Sequence, residues 1–364
     1  MARTLFVTWD GGGNVGPAVE IAKELRDRGD KVRFIGQRQQ RAAFDELGFG
    51  FSEYTNPGPW TATGKRNAVT NAVGFLRLLA GRSLGRDLML EVRTHPTDLV
   101  VVDCLLYGAL SAAGRTGLPY AVLVHSLFAA VEKNMAGGAP GAVARLVGLN
   151  PWRLWAAADG RVAVTLEEFD VPPSNPLALT YTGPIVPALG QRSASGGTVL
   201  VSLSTTYIAG QARVLQNILD ALADLPISVL ATTGPAVDPS ELRVPANAKA
   251  HRYIPHAQII GDVSLVVGHG GHSTTMLALA QGVPLVVIPM NPAFDQPMIG
   301  RRVQEQGAGL TLPSNSSSAE IREAVDRVLR GESFHRAAER LGALIGNTGG
   351  TTAAAVALQA LRSH

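Results

Sequence analysis

The feature that most constrains the fold of this chain is an alternation of short β-branched runs with longer amphipathic runs. The short runs of the first half span residues 4–9, 31–35, 99–103 and 120–124. Those of the second half span residues 199–203, 228–231, 265–267 and 285–288. Several of the segments between them have the spacing of helices, and this pattern is typical of a parallel sheet with helices on both faces. We therefore predict an α/β fold.

The length of the chain and a change in its composition near residues 183–197 predict two domains. A chain of 364 residues is too long for one ordinary hydrophobic core. A stretch with two prolines at 183–187 precedes a segment rich in glycine, serine and alanine at 190–197, which we interpret as a linker. We predict Rossmann-like domains over 1–187 and 198–350, facing each other across a cleft. Residues 55–90 and 126–160 fit the alternation poorly and are candidate substrate-binding loops.

Composition argues against several functional classes. The net charge is only +3, and no run of Lys and Arg is interleaved with aromatic residues, so a nucleic acid is not an expected partner. Cys104 is the only cysteine, which predicts a reducing compartment, the cytoplasm. No stretch approaches 18 continuous apolar residues, so neither a membrane span nor secretion is expected. The oligomeric state stays open, a homodimer included.

A glycine-rich segment follows the first predicted strand. Residues 11–16 read Gly-Gly-Gly-Asn-Val-Gly and satisfy the fingerprint of dinucleotide-binding domains. A site for NAD also needs an acidic residue about 20 positions on, whereas the second strand here is followed by Gly36-Gln37-Arg38. Arg38 could instead bind the 2′-phosphate of NADP, and an NADP-dependent oxidoreductase is therefore one hypothesis. The alternative is that the glycines only permit a sharp turn and a close approach.

The strongest functional signal is the segment 268–275, Gly-His-Gly-Gly-His-Ser-Thr-Thr, between a valine-rich strand and a helix. Small residues let the backbone approach a ligand, and a helix N-terminus offers N–H groups with a partial positive charge. Imidazoles and hydroxyls add hydrogen-bond donors, so the segment predicts a phosphate site. Asp295 and Gln296, beyond the next strand, could bond sugar hydroxyls. A zinc site at His269 and His272 is the weaker reading, because a third ligand is not evident.

These residues carry a resemblance to a known family. His269-Gly270-Gly271, residues 282–284, Asp295-Gln296 and residues 307–309 are similar to the donor signature shared by plant UDP-glycosyltransferases and bacterial macrolide and antibiotic glycosyltransferases. Residues 199–205 and 253–256 resemble the phosphate loop and base-binding turn of that family. The resemblance implies the GT-B fold, an N-terminal acceptor-binding domain and a C-terminal donor-binding domain. It also implies that residues 351–364 form a terminal helix that crosses back to the N-terminal domain.

The resemblance implies a donor site for a nucleotide sugar. Its residues would be Ser204, Thr205, Tyr253, Ile254, His269, Gly270, Gly271, His272, Ser273, Thr274, Thr275, Asp295 and Gln296. The histidine, hydroxyl and N–H groups would hold the diphosphate, Tyr253 and Ile254 would face the base, and Asp295 and Gln296 the sugar. Since no Asp-x-Asp occurs in the sequence, we expect no metal and no cofactor.

The chain departs from the family pattern at two places. Many members carry a Glu for the ribose hydroxyls where this chain has Leu277, which favours a TDP-deoxysugar over a UDP-sugar because thymidine nucleotides lack the 2′-hydroxyl. The general base of the family is a His in the first loop, but Asn14 stands there and cannot accept a proton at neutral pH. Candidates for its role are Asp10 and His125, unless the acceptor is acidic enough to need only orientation. Asp103 matches the Asp that orients the base in the family, and base, orienting residue and simple hydrogen-bonding group at a strand end are its three alternatives.

The sequence thus predicts an inverting, metal-independent glycosyltransferase. It would move a sugar from TDP or UDP to a hydrophobic natural product, as in antibiotic biosynthesis. A catalytically weak auxiliary protein that kept the fold after losing its base is the alternative from another class, and the NADP-dependent oxidoreductase is the third hypothesis.

Overall fold

A computed structural model describes residues 1–58, 60, 62, 68–171, 177–187, 189–190 and 197–363. The chain divides into two compact units. The first runs to Ile185 and also takes in the segment from Gly349 onwards, and the second runs from Val186 to Thr348. Each unit contains its own parallel sheet.

The first unit is built on seven parallel strands. The strands are β1 (Arg3–Val7), β2 (Lys31–Gly36), β3 (Gly50–Glu53), β4 (Leu99–Asp103), β5 (Tyr120–Val124), β6 (Gly160–Ala163) and β7 (Thr180–Tyr181). Their order in the sheet is β3-β2-β1-β4-β5-β6-β7. The first-unit helices before the linker are α1 (Val15–Asp27), α2 (Arg41–Glu46), α3 (Ala68–Ala80), α4 (Arg82–Thr94), α5 (Tyr107–Ala113), α6 (Phe128–Ala130, continued by a π-helical turn to Ala136), α7 (Ala139–Leu146) and α8 (Pro151–Ala156). Because the sheet order reverses between β1 and β4, the loops after these strands diverge to opposite faces and leave a crevice, where doubly wound folds bind ligands.

The second unit repeats this plan with six parallel strands. The strands are β8 (Thr198–Ser202), β9 (Ser228–Thr232), β10 (Ala248–His251), β11 (Val263–Gly268), β12 (Leu285–Val287) and β13 (Gly309–Thr311). Their order is β10-β9-β8-β11-β12-β13, with the reversal between β8 and β11. The helices of this unit are α9 (Gln211–Leu222), α10 (His272–Ala280), α11 (Gln296–Glu305), α12 (Ser318–Arg330) and α13 (Glu332–Gly346). The predicted fold class, two doubly wound α/β domains, is confirmed.

Burial on both faces of the sheets explains why the central strands are continuous apolar runs. Every residue of β4 and β5 is buried, which is the pattern of a parallel strand covered by helices on each side. In α1 the buried positions Ala18, Ile21, Ala22 and Leu25 recur at helical spacing. The last helix, α14 (Gly350–Ala360), packs on α1 and β6, and its Ala354, Ala355 and Leu358 belong to the core of the first unit.

The interpretation of residues 55–90 and 126–160 as loops is wrong. The first stretch contains α3 and most of α4, and the second contains α6, α7, α8 and the π-helical turn. In α3 and α4 the fully buried Leu78, Leu79, Leu84 and Leu88 recur at helical spacing. The prediction failed because these helices follow one another without an intervening strand, so they break the βαβ alternation.

One helical run passes a test of length and hydropathy for a membrane span. It covers Glu332–Ala360, 29 residues with a window of mean hydropathy 1.2. The structure interrupts the run at Asn347, where α13 ends. The α13 half packs on α10 in the second unit, and the α14 half packs on α1 in the first. Core helices of soluble proteins pass the same test.

Candidate functional site

Both candidate sites lie where their sheet changes direction. In the first unit, Asn14 follows β1 and Asp103 ends β4, the two strands on either side of the reversal. In the second, the loop after β8 carries Ser204 and the loop after β11 carries His269. Ser202 and Gly268 are paired at the ends of these two strands, so the two loops leave the sheet side by side. These are the crevices where doubly wound sheets bind ligands.

The Asn14 side chain is enclosed by hydrogen bonds at the first-unit site. Its Nδ2 donates to the carbonyl of Trp9 and to Oδ2 of Asp103, both at 3.0 Å. Its Oδ1 accepts from the N–H of Gly11 at 3.1 Å. The residue is 3% exposed, and both amide protons are used inside the loop. Asn14 therefore ties the glycine loop to β4 and is not placed to take a proton from a ligand.

Asp103 joins three donors. Besides Asn14, the N–H of Leu105 donates to its Oδ1 at 3.0 Å, and Nδ1 of His125 lies 3.2 Å from its Oδ2. Burial opposes both charges, but the attraction between the two groups and their hydrogen bond prevail. The pKa of His125 is accordingly raised well above its ordinary value, and the pKa of Asp103 is lowered. The structure thus brings together three of the four candidate catalytic residues.

Asp103, Cys104 and His125 offer metal-ligand atoms that lie within 4.8 Å of one another. Nδ1 of His125 and Sγ of Cys104 are 3.9 Å apart. The Asp103 oxygens, however, already accept three hydrogen bonds, and burial raises the pKa of the Cys104 thiol. A soft metal would need the thiolate, which the raised pKa of Cys104 disfavours.

Asp10, the fourth candidate, faces β2. Its backbone N–H donates to Oε1 of Gln37 at 2.9 Å, and its carboxylate lies 3.4 Å from Nε2 of Gln39. A cavity of about 230 Å³ opens beside it, bounded by α1 and α2, and its lining includes no Lys or Arg among the described residues. Arg38 is instead paired with Glu53 at 2.9 Å. The 2′-phosphate of NADP would therefore meet no cation in this cavity, which argues against the oxidoreductase hypothesis.

The second-unit site is formed by the loop before α10. Gly270 adopts a positive φ of +81°, a conformation that glycine takes without strain. A β-carbon on Gly271 would stand 2.6 Å from Nε2 of His269, so only glycine there leaves room for the ring. Ser273 and Thr274 follow in the first turn of α10, where the N–H groups of an α-helix have no partner within the helix. The loop thus places backbone donors and an imidazole at one helix end.

Two of the predicted donor residues are occupied by internal contacts. Thr275 is 1% exposed, and its N–H donates to the carbonyl of Gly271 at 3.0 Å. Gln296 is 6% exposed, and its Oε1 accepts from the N–H groups of Met290 and Asn291 at 2.8 and 2.9 Å. Thr275 is therefore an inner residue of the helix, and Gln296 holds the loop after β12. The physical reason is that α10 begins at His272, which turns Thr275 towards the interior.

The other predicted donor residues differ in exposure. Ser204 is buried, and its hydroxyl accepts from the N–H of Thr206 at 3.0 Å. Thr205 is exposed and Ile254 half-buried, while Tyr253 is 71% exposed. His272 is buried, whereas Asp295 is partly exposed at the start of α11. The exposed groups are those that a ligand could reach without rearrangement.

His256 was not among the predicted site residues. Its Nε2 lies 3.1 Å from the hydroxyl of Thr232, and its Nδ1 lies 3.4 Å from that of Thr274. It thereby links the end of β9 to the first turn of α10 and orients Thr274. Burial lowers its pKa. Its position directly after Tyr253-Ile254-Pro255 was the available signal in the sequence.

His269 is held neutral. Burial lowers its pKa from 6.5 to about 4, although a hydrogen bond to the backbone of Ser202 acts in the opposite direction. At neutral pH the ring therefore offers a hydrogen bond and no full charge. Positive potential for an anion comes mainly from the α10 terminus.

This shift predicts that the second unit is acid-sensitive. Below pH 6.5 the unfolded chain binds a proton that folded His269 refuses until about pH 4, so stability falls as the pH drops through that window. We expect a loss of up to about 2 kcal/mol at pH 5 relative to pH 7.5, absent from His269→Gln. Hydrogen exchange of β8 and β11 at the two pH values measures it, with His335→Gln as control. An equal loss in His269→Gln would contradict the assignment.

Two doubly wound domains, the second with a helix N-terminus where its sheet reverses direction, define the GT-B fold. The family described as erythromycin biosynthesis protein CIII-like, C-terminal domain, matches residues 216–353. The 4′-demethylrebeccamycin synthase of Lentzea aerocolonigenes is 27% identical over 93% of this chain and 94% of its own.

Solved structures agree with this relation. The calicheamicin glycosyltransferase CalG4 superposes with a TM-score of 0.79 at 22% identity, over 100% of this chain and 99% of its own. The glycosyltransferase VinC, solved in complex with DTDP, has a TM-score of 0.74 at 20% identity over 99% of each chain. These structures establish the fold. In sequence and in fold, the chain is thus similar to GT-B glycosyltransferases.

Proposed function

We propose that this chain is an inverting glycosyltransferase that takes its sugar from a nucleoside diphosphate, without a metal ion, and delivers it to a hydrophobic natural product. The observation that carries the proposal is the end of α10, where His269, two glycines and the first-turn residues Ser273 and Thr274 bring hydrogen-bond donors together. A diphosphate is the ligand that such an end binds best. As the sugar leaves, the helix end would stabilise the charge that grows on the diphosphate.

Thymidine is the nucleoside that the site favours. Leu277, at the position where many relatives carry a carboxylate for the ribose, is an apolar residue 8% exposed on α10. A uridine nucleotide would bring a 2′-hydroxyl with no carboxylate there to bond it, whereas a thymidine nucleotide lacks that hydroxyl. The likeness to VinC, whose structure contains DTDP, supports the same choice. Tyr253, which is highly exposed, offers a ring face for the base.

A hydrophobic acceptor fits the first unit. The cavity beside Asp10 is lined largely by carbon, with Val15, Val19 and Phe44 among its walls. Its volume of about 230 Å³ suits an apolar part of a natural product, and because its lining includes neither Asp103 nor His125, the reacting group of the acceptor would lie outside it. The names of the relatives, which refer to rebeccamycin and calicheamicin, support an acceptor of this type.

Isothermal titration of TDP, UDP and NADP in the presence of EDTA tests the donor site. We expect TDP to bind more tightly than UDP, and His269→Ala to weaken both by about tenfold to a hundredfold. The reason is that a hydrogen bond to a charged group contributes about 1.5–3 kcal/mol. His335→Ala, which removes a histidine from α13, is the matched control and should leave the affinity unchanged.

The opposite outcome is equally clear. NADP binding that survives His269→Ala, with no binding of TDP or UDP, would overturn the donor proposal and transfer the nucleotide site to the glycine loop. A requirement for Mg²⁺ or Mn²⁺ would overturn the metal-independent part alone.

The auxiliary-protein alternative rests on Asn14. Its side chain is fully hydrogen-bonded in the place where relatives carry the base, as a chain that had lost catalysis would allow. An auxiliary protein would bind TDP but leave a TDP-sugar intact with every acceptor. Chromatographic detection of glycosylated product distinguishes the two.

A further inference from the structure

We propose that His125 is the general base of this chain and that Asp103 and Asn14 are its positioning residues. The inference rests on the proposed function and adds to it the residue that removes the proton of the acceptor. The base would thus be carried by the loop after β5, whereas relatives carry it in the loop after β1.

The sheet register brings the pair together. Asp103, the last residue of β4, is paired with Leu123 of β5, and His125 stands immediately after β5 ends at Val124. Both side chains therefore emerge at the carboxyl edge from neighbouring strands, beside the reversal of the sheet. That edge is where doubly wound domains bind their ligands.

The ring of His125 has one nitrogen engaged and one available. Within the described part of the chain, its polar contacts run through Nδ1, to Asp103 at 3.2 Å and Cys104 at 3.9 Å. A carboxylate can only accept there, so the neutral ring carries its proton on Nδ1 and a lone pair on Nε2. The side chain is 16% exposed, which suits a group that must meet an acceptor. This is the arrangement of a base oriented by a carboxylate.

Asn14 fixes the carboxylate rather than replacing the base. It donates to the same Oδ2 that faces His125, and its second amide proton is bonded to the carbonyl of Trp9. The Asp103 carboxylate is thereby held from the side of β1, while the N–H of Leu105 holds the other oxygen. A histidine at position 14 would compete with His125 for the same oxygen of Asp103. Asparagine at this position is therefore consistent with His125, on the β5 side of Asp103, as the base.

The proposed step combines proton transfer to His125 with displacement at the anomeric carbon. The acceptor O–H bond breaks, its proton passes to Nε2 of His125, and the oxygen forms the bond to the anomeric carbon. The bond from that carbon to the diphosphate oxygen breaks, and the electron pair leaves with the nucleoside diphosphate. The imidazolium that results is paired with Asp103 and returns its proton to water.

The groups around the pair of His125 and Asp103, called the dyad below, set the pH dependence of the reaction. His125 faces Asp103 and Cys104, while Tyr54 and Tyr107 interact with the Asp103 charge. Burial raises the pKa of both tyrosines and of the thiol, so Asp103 is the charge that governs the ring. Because Asp103 raises the pKa of His125, kcat/KM should rise with pH through a value above the ordinary 6.5, and Asp103→Asn should move that rise to lower pH.

Long-range proton–nitrogen NMR of the histidine rings tests the dyad without a substrate. We expect His125 to titrate above 6.5 and to carry its neutral proton on Nδ1, and Asp103→Asn to lower its pKa. His125→Gln assigns the signal, and His95, an exposed histidine that is paired with the buried Glu91, is the control. A neutral ring protonated on Nε2, or a titration unchanged in Asp103→Asn, overturns the proposal.

Turnover gives the second test, with TDP-glucose and UDP-glucose as donors. The acceptors are 2-naphthol, 2-naphthalenethiol and 2-naphthylmethanol. His125→Ala and His125→Gln should lower kcat by about 10²- to 10⁴-fold with the alcohol and by much less with the acidic thiol, with the donor KM and the TDP affinity retained. His95→Ala should match the wild type.

The two proposals fail in different ways. Wild-type protein that binds no nucleotide overturns the proposed function, whatever the state of His125. Wild-type transfer that persists in His125→Gln but is lost in Asp10→Asn overturns the dyad and assigns the base to Asp10, while the proposed function stands.

Discussion

Replacement of Trp155 by alanine is expected to lower the free energy of unfolding of the first unit by about 3–5 kcal/mol, the range for emptying the site of a large buried aromatic residue. Trp155 is fully buried, and its ring lies 5.2 Å from that of Phe128 and 6.2 Å from that of Tyr107, between ring centroids. Its indole N–H also donates to the carbonyl of Cys104 at 2.9 Å. The substitution therefore creates a cavity and leaves a buried carbonyl unpaired directly behind Asp103.

Urea unfolding followed by circular dichroism measures this loss. Trp152→Ala is the matched control, because Trp152 lies in the same helix, α8, and is only partly buried. Trp155→Phe keeps most of the ring volume but loses the hydrogen bond, and should fall between the two. A Trp155→Ala variant as stable as Trp152→Ala would show that the site collapses without cost.

The second large effect is expected at Gly271. Alanine there should weaken TDP binding by about a hundredfold or more, a loss of about 3 kcal/mol, while the fold is retained. The residue has φ −66° and ψ 132°, which any amino acid adopts. Its methyl group would stand 2.6 Å from Nε2 of His269, so that half-buried ring must shift. The methyl and the displaced ring then occupy the space of the anion.

Titration calorimetry measures the affinity, and thermal unfolding without nucleotide checks the fold. Gly346→Ala is the control, since a β-carbon on Gly346 in α13 meets nothing within 4 Å. If Gly271→Ala binds TDP as tightly as Gly346→Ala does, the diphosphate does not lie against the loop that precedes α10.

Periodicity was sufficient to predict the fold class and most of the central strands. The runs 99–103 and 120–124 coincide with β4 and β5, because strands buried on both faces are continuous apolar segments. Edge strands such as β3 and β10 are only partly buried, so their sequences carry no such run and were not recognised. The consecutive helices α3 and α4 have no strand between them, so an alternation of strands and helices does not predict them.

The sequence predicts which residues belong to the candidate sites but not how their side chains contact one another. Asp103 and His125 are 22 positions apart, and they meet because β4 and β5 are neighbouring strands in this register. Recognising the two strands in the sequence does not reveal that they are neighbours. The bonds of Asn14 to β4 depend on the β1–β4 adjacency in the same way. In the second unit, the residue at which α10 begins determines which side chains face outwards. With the start at His272, Thr274 contacts His256 and Thr275 is buried. Such details follow from packing and not from the motif.

The return of α14 to the first unit has a consequence for biosynthesis. The core of that unit includes Ala354 and Leu358, and Arg362 is paired with Asp30 at 2.6 Å. A ribosome therefore releases the last pieces of the first domain only after the whole second domain has been made. Since domains generally fold as units during synthesis, the second domain, whose segment from Val186 to Thr348 is continuous, can complete its core while the first still waits for its final helix. The domain translated first is thus the one finished last.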